Sequence, residues 1–215
     1  MGDAVDGPKD STRDRLMRST LKVIARAGYA NATVAEIERD AGLSPGAGGL
    51  YRHFASKEEL LVAAVRQYRE EIKTWKAVVD EIAVADPSQA WESVPRALVK
   101  FGASQQTAIM ALALEGLKFP AEARKEVQAA YNDGYALFAE GLEKFTGPTK
   151  KEVDFEAAAI QLFAGLVQFV TQTLAFGAPP FGVTLDRYMI SWLRNWSLVI
   201  RGWRAGELSS DESPG

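Results

Sequence analysis

The stretch Thr33–Leu60, TVAEIERDAGLSPGAGGLYRHFASKEEL, decides how this chain is read. Thr33, with Glu36 three residues later, is a capping box that opens a short helix. Val34, Ile37 and Ala41 form the inner face of that helix, and Gly42 ends it. Ser44-Pro45 reads as an N-cap with a first-turn proline, so a further short helix is expected to begin there and end in Tyr51-Arg52-His53-Phe54. Ser56 with Glu59 is another capping box and opens the next helix. Two short helices braced across a tight turn make a helix-turn-helix, a device that sets its second helix into the DNA major groove.

Outside this stretch almost every segment also reads as helix. Ser11 or Thr12 can cap a first helix with Leu16, Thr20, Val23, Ile24 and Ala27 on its core stripe and Gly28 as its left-handed stop. The helix opened at Ser56 runs through Leu60, Ala64 and Tyr68 towards Trp75 and Val79, and Asp86-Pro87-Ser88 interrupts the pattern. Residues 88–105, 107–118, 121–145, 152–176 and 184–206 follow as helices, punctuated at Phe119-Pro120, Gly147-Pro148 and Ala178-Pro179-Pro180. No alternating β-branched run occurs. The expected fold is all-α, with a three-helix head at 11–56, a helical body at 57–208, a flexible leader at 1–10 and a tail at 209–215.

With 47% hydrophobic and 25% charged residues over 215 positions, the chain can bury a core. It has no Cys and one His, which excludes a disulfide framework, a thiolate metal site and a cysteine nucleophile, and leaves no ligand set for a transition metal. No cofactor is expected. The first residues carry acidic groups and no apolar segment, unlike a secretory signal, so a cytoplasmic location is expected. The net charge of −3 divides unevenly: residues 9–76 hold 13 Lys/Arg against 9 Asp/Glu, and the remainder hold 12 against 19. A basic first third on an acidic body suits a polyanion at one end only, although ordinary surface charge gives the same count.

Two late segments stand apart. Residues 157–185 contain no charge, with Gln161, Gly165, Gln168 and Gln172 interrupting an otherwise apolar helix. Its stripe includes Leu162, Leu166 and Phe169, and the last helix continues the stepping with Trp192, Trp196 and Trp203. Three tryptophans on one stripe favour pairing with a second subunit, since aromatic residues concentrate at interface centres. The interrupting glutamines argue against a membrane span.

Residues 16–61 resemble the TetR family of bacterial transcription regulators. The resemblance rests on Ala27-Gly28-Tyr29, Thr33-Val34-Ala35-Glu36-Ile37, Ala41-Gly42-Leu43-Ser44, Leu50-Tyr51-Arg52-His53-Phe54 and Ser56-Lys57-Glu58-Glu59-Leu60 in that order. It implies a homodimer on double-stranded operator DNA, with a C-terminal body that binds a small effector and pairs the subunits. The DNA-contacting set carried over is Thr33, Ser44, Pro45, Gly46, Ala47, Gly48, Tyr51, Arg52, His53 and Lys57. Thr33 would offer a hydroxyl and N–H groups to phosphate, Tyr51, His53 and Lys57 would grip the backbone, and Arg52 would reach a base or a phosphate. Leu43, Leu50 and Phe54 are packing residues. The alternative for Tyr51 is a core aromatic, and for Arg52 and Lys57 a solvated charge, each the lesser reading beside the family's motif.

One departure stands out. Ser44-Pro45-Gly46-Ala47-Gly48-Gly49 is longer than the family's commonest form by about two residues. Each glycine in a helix costs about 1 kcal/mol relative to alanine, so the reading helix is expected to be weakly ordered in the free protein, with sparse direct base readout. The body's candidate effector residues are Phe101, Gln105, Met110, Leu114, Tyr131, Tyr135, Phe138, Gln161, Gln168 and Gln172. Their character points to a neutral, largely apolar or aromatic effector. A repressor released from DNA by such an effector is the expected function. The alternative is a helical dimeric scaffold that has lost specific DNA binding. No nucleophile elbow, phosphate loop or metal motif suggests an enzyme.

Overall fold

The computed structural model describes residues 11–85, 93, 97, 100–102 and 104–208. The leader, the tail, the break at 86–88 and most of the 88–105 segment lie outside the described residues. Among the described residues there is no strand. The helices are α1 (Thr12–Ala27), α2 (Val34–Asp40), α3 (Lys57–Ala85), α4 (Gln106–Glu115), α5 (Ala121–Thr146), α6 (Phe155–Phe176) and α7 (Leu185–Ala205). Short 3₁₀ turns occur at Leu50–Arg52, Gly116–Lys118 and Pro180–Gly182.

Local chemistry explains where these helices begin and end. Ser11 caps α1 by accepting from the Asp14 N–H, and Gly28 ends it at φ 80° with its own N–H on the Ile24 carbonyl. Thr33 and Glu36 form the full reciprocal capping box on α2. Ser56 Oγ accepts from the Glu59 N–H at 3.0 Å, capping one first-turn donor of α3, and the Glu59 carboxylate takes the Ala55 N–H just before the helix at 2.7 Å. Asp154 and Thr184 cap α6 and α7 in the same way, and glycines 177 and 206 close them in left-handed conformations.

The chain forms two compact units that do not follow chain order. The first joins Met1–Glu71 to Gln105–Ala130, and the second joins Ile72–Ser104 to Tyr131–Gly215. The first unit thus takes in residues that the head-and-body division at 56/57 assigned to the body. The reason is packing: α1 lies along α4. In addition, Glu126 accepts from both Arg66 and Arg69, at 2.7 and 2.8 Å. Burial raises the Glu126 carboxyl, and the two guanidiniums outweigh it and hold the carboxyl below its ordinary range. The core of this unit is Leu16, Val23, Ile24, Ile37, Leu50, Leu60, Leu61 and Val65, all without exposed surface.

The second unit is built on α6 and α7. Leu162, Leu166, Trp192, Ile200 and Trp203 are buried together with Phe138 and Leu142 of α5. The Trp192 indole N–H donates to the Leu162 carbonyl, which satisfies a buried polar group and fixes the ring. Phe169 stacks on Tyr188 at 4.2 Å. Arg204 donates to the Thr146 and Phe145 carbonyls and so closes the C-terminal end of α5.

Candidate nucleic-acid interface

The first helix of the expected pair is present as α2, and the second is absent. Between Leu43 and Gly49 the chain runs through turns, and helical geometry returns only as the 3₁₀ turn Leu50–Arg52. The expectation of a helix starting at Ser44-Pro45 is therefore corrected. The cause is conformational: Gly46 and Gly48 have φ of 78° and 69°, which a right-handed helix does not admit.

A buried carboxylate organises this loop. Glu38, on α2, has no exposed surface. Its Oε2 accepts the Gly46 N–H at 2.7 Å and its Oε1 accepts the Leu50 N–H at 2.9 Å. These backbone donors, Leu50 first and then Gly46, hold the carboxyl below its ordinary range against the opposing effect of burial. The Leu43 N–H returns to the Glu38 carbonyl, and the Ala47 N–H closes a turn on the Ser44 carbonyl. Sequence reasoning missed Glu38. The signal was available: Glu38 falls beside Ile37 and one turn from Val34, on the inner face, just before a glycine-rich segment.

The expected contact residues divide into two groups. Ser44, Pro45, Gly46 and Ala47 lie at or near the surface and Gly48 is half-buried, around the loop. Tyr51, Arg52 and His53 are consecutive and exposed, between Leu50 at 0% and Phe54 at 2% exposure. Tyr51, with 60% of its surface open, is not a core aromatic. Leu50 and Phe54 are the anchors expected of them, and the Arg13 guanidinium covers the Phe54 ring at 5.0 Å.

Thr33 and Lys57 are committed to internal partners. The Thr33 hydroxyl accepts from the Glu36 N–H and donates to the Glu36 carboxylate. Lys57 Nζ donates to the Tyr29 carbonyl at 2.8 Å and sits 4.4 Å from the centre of the Tyr29 ring. Burial pushes the Lys57 ammonium down from its ordinary value. Tyr29 is itself a junction. Its N–H donates to Glu115 Oε2 at 3.0 Å, and its ring meets Phe119 edge-on at 5.3 Å. Glu115 also pairs with Lys118 at 2.6 Å. The loop after α1 is thereby fastened to α4 and to the start of α3. No motif marks this joint in the sequence, because its partners lie 86 and 28 residues from Tyr29.

The candidate effector residues fall in both units. Gln105, Met110 and Leu114 belong to the first, where the Gln105 side chain bonds the Glu71 carboxylate. Phe101, Tyr131, Tyr135, Phe138, Gln161, Gln168 and Gln172 belong to the second. There Tyr131 stacks on Tyr135 at 6.4 Å, and Phe163 touches both Tyr135 and Phe138 at 5.3 and 5.0 Å. Phe163 is thus the ring that joins this cluster, and Gly134 leaves room for it, since a Cβ there would come within 3.1 Å of the ring. Phe101 packs on Trp75 instead. Gln161 lines a surface cleft of about 480 Å³ with Asn195, Trp196 and Trp203. Of the stripe assigned to subunit pairing, Leu162, Leu166, Phe169, Trp192 and Trp203 are buried in the unit's own core, with Trp196 half-buried against it. The exposed residues of these helices include Ile160, Gln161, Ala164, Gly165 and Gln168 on α6, and Ile190 and Leu198 among Arg187, Arg194, Asn195 and Arg201 on α7.

Comparison with known proteins agrees with this picture. Residues 16–64 match the model for bacterial regulatory proteins of the tetR family. The helix-turn-helix transcriptional regulator BetI of Stenotrophomonas maltophilia is 43% identical over 67 residues, which cover 31% of this chain and 33% of that protein. The curated relatives matched are spanned over about a fifth to a third of their length. A TetR-family regulator structure from Agrobacterium tumefaciens superposes with a TM-score of 0.63 at 21% identity, over 76% of this chain and 87% of that one. The Bacillus subtilis regulator FadR in complex with stearoyl-CoA superposes with a TM-score of 0.56 at 17% identity, over 89% and 97%. The match to the tetR family model is confined to residues 16–64, and over most of its length the chain has the all-helical fold of solved TetR-family regulators.

Proposed function

We propose that the chain is a transcriptional regulator that binds double-stranded operator DNA as a homodimer and releases it when a small, largely apolar effector occupies the body. The observation that carries this reading is the exposed run Tyr51-Arg52-His53, held between the buried anchors Leu50 and Phe54. Fixed anchors on both sides present three polar or cationic side chains at low entropic cost, which suits backbone grip and base contact. The Ser44–Gly48 loop supplies close backbone approach beside them. Lys57 serves the joint at Tyr29 rather than a phosphate.

Pairing uses the outward faces of α6 and α7. Only 28% of the most apolar window of α6 is buried within the chain, and Ile160, Ile190 and Leu198 stand about half or more exposed. α6 has the length and apolarity of a membrane-crossing helix, yet it carries the second unit's core on its inner face. Two paired heads would meet successive major grooves roughly 34–36 Å apart on a near-palindromic site. An effector among Tyr131, Tyr135, Phe138 and Phe163 is consistent with their aromatic character, and a regulator of the same fold holds stearoyl-CoA. Coupling of about 1–3 kcal/mol would change operator affinity about 5- to 150-fold.

Selection of bound duplexes from a random pool tests the reading. Enrichment of a near-palindrome, bound with an affinity that falls steeply with salt, is expected. Absence of any enriched sequence would overturn it and favour the scaffold.

A further inference from the structure

We propose that Glu38 is the positioning residue of the DNA-reading loop, and that it determines which base sequence the protein selects. The inference rests on the function proposed above and names the part of the site that carries specificity.

A carboxylate without exposed surface is stable only if its oxygens are fully bonded. Glu38 meets that demand from the main chain: one oxygen takes the Gly46 N–H and the other takes the Leu50 N–H. In a continuous reading helix those donors would lie near its first turn and need partners of their own. Here a side chain from the preceding helix supplies them, so the loop has a defined shape without helical geometry. Gly49 fits the same design. A Cβ on Gly49 would stand 3.1 Å from Leu43 Cδ1, a tight contact, and 3.5 Å from Glu38 Oε1, an ordinary one, so a methyl there would press on Leu43 beside the carboxylate.

The two anchored amides bracket Ala47 and Gly48, and the second of them begins the 3₁₀ turn that aims Tyr51, Arg52 and His53. Both candidate reading elements therefore take their position from one side chain. The substitution Glu38→Gln would retain one acceptor and turn an NH₂ group towards the other amide, donor against donor. The substitution Glu38→Ala would leave both amides without a partner.

The test uses the full chain with Glu38→Gln, Glu38→Ala and Gly49→Ala. Amide exchange is measured in the free protein, and bound duplexes are selected from a random pool. For Glu38→Gln, exchange at one of Gly46 and Leu50, the amide that faces the new NH₂ group, should rise about tenfold or more, as for loss of one bond to a charged acceptor, while α2 amides keep their protection. The preference profile should broaden, and the wild-type duplex should lose its advantage over random DNA by a similar factor. The salt slope should change by no more than about one, the share of a single cationic contact such as Arg52, while the preference profile changes more. Gly49→Ala, which crowds the cradle and keeps the charge, should shift preference in the same direction, so the result does not depend on Glu38→Ala folding. Unchanged exchange at Gly46 and Leu50 in Glu38→Gln would overturn the cradle. Raised exchange with an unaltered preference profile would overturn its role in selection. Failure of the wild-type chain to select any duplex would instead overturn the function proposed above, and that arm is read before the variants.

Discussion

Replacing Glu115 by alanine tests the joint at Tyr29. The carboxylate is mostly buried, with 15% of its side chain exposed, and it accepts the Tyr29 N–H at 3.0 Å. Loss of a hydrogen bond to a charged acceptor costs about 1.5–3 kcal/mol when the donor stays away from water. The partner Lys118 is 64% exposed, so that ion pair adds only about 0–1 kcal/mol. The expected loss is about 2–3 kcal/mol, or about 30- to 150-fold in the opening equilibrium around Tyr29. The described tryptophans, Trp75, Trp192, Trp196 and Trp203, fall in the second unit, so amide exchange at Tyr29 and Ala32 is the suitable probe, supported by urea unfolding followed by circular dichroism. The pH dependence adds a check. Lys118, and then the Tyr29 N–H, lower the carboxyl below its ordinary value of 4.5. A lowered folded-state value means the stabilisation is fully present above that ordinary value and is lost as pH falls through the folded one. The difference between wild type and Glu115→Gln should therefore be full near neutrality and vanish in acid. Lys118→Ala should cost under about 1 kcal/mol. If Lys118→Ala matches Glu115→Ala, or if Tyr29 exchange is unmoved, the joint as described is wrong.

Three further outcomes are expected. Lys57→Ala should destabilise the first unit by about 1–2 kcal/mol in thermal or urea unfolding and leave the salt slope of DNA binding intact; a slope reduced by about one would instead show a phosphate contact. Thr33→Ala should cost about 1 kcal/mol through loss of the capping box, measured by urea midpoint. Trp192→Ala should cost about 3–5 kcal/mol and reduce the folding-dependent fluorescence change, because it empties a core site and removes the indole bond to the Leu162 carbonyl.

Helix existence was legible because it rests on local chemistry. Ser11, Thr33, Ser56, Asp154 and Thr184 act through neighbours three residues away, and such spacing is visible in one dimension. The alternation of buried and exposed positions on α1 was equally visible. Side-chain destinations across the fold were not. The tryptophan stripe has the composition of an interface or of a core, and only the placement of Leu162 and Phe138 shows that it faces inward. Ser44-Pro45 carries a helix start signal that two left-handed glycines override one and three residues later. Glu115 carries no mark in the sequence, Lys57 is expected on a phosphate instead of the Tyr29 carbonyl, and Glu38 is marked only by its place on the inner face, because the partners of all three are backbone groups that no residue type advertises.

The Glu38 anchorage also bears on how this reading loop can change. Because the carboxylate grips the amides of Gly46 and Leu50 and touches no side chain between them in those bonds, residue 47 can vary without loosening the frame. Gly48, at φ 69°, accepts Asn or Asp with least strain. On the function proposed above, the segment is an exchangeable cassette: its centre can be varied while the fold is guarded at its ends, which makes it the natural place for a laboratory library of altered sequence preference.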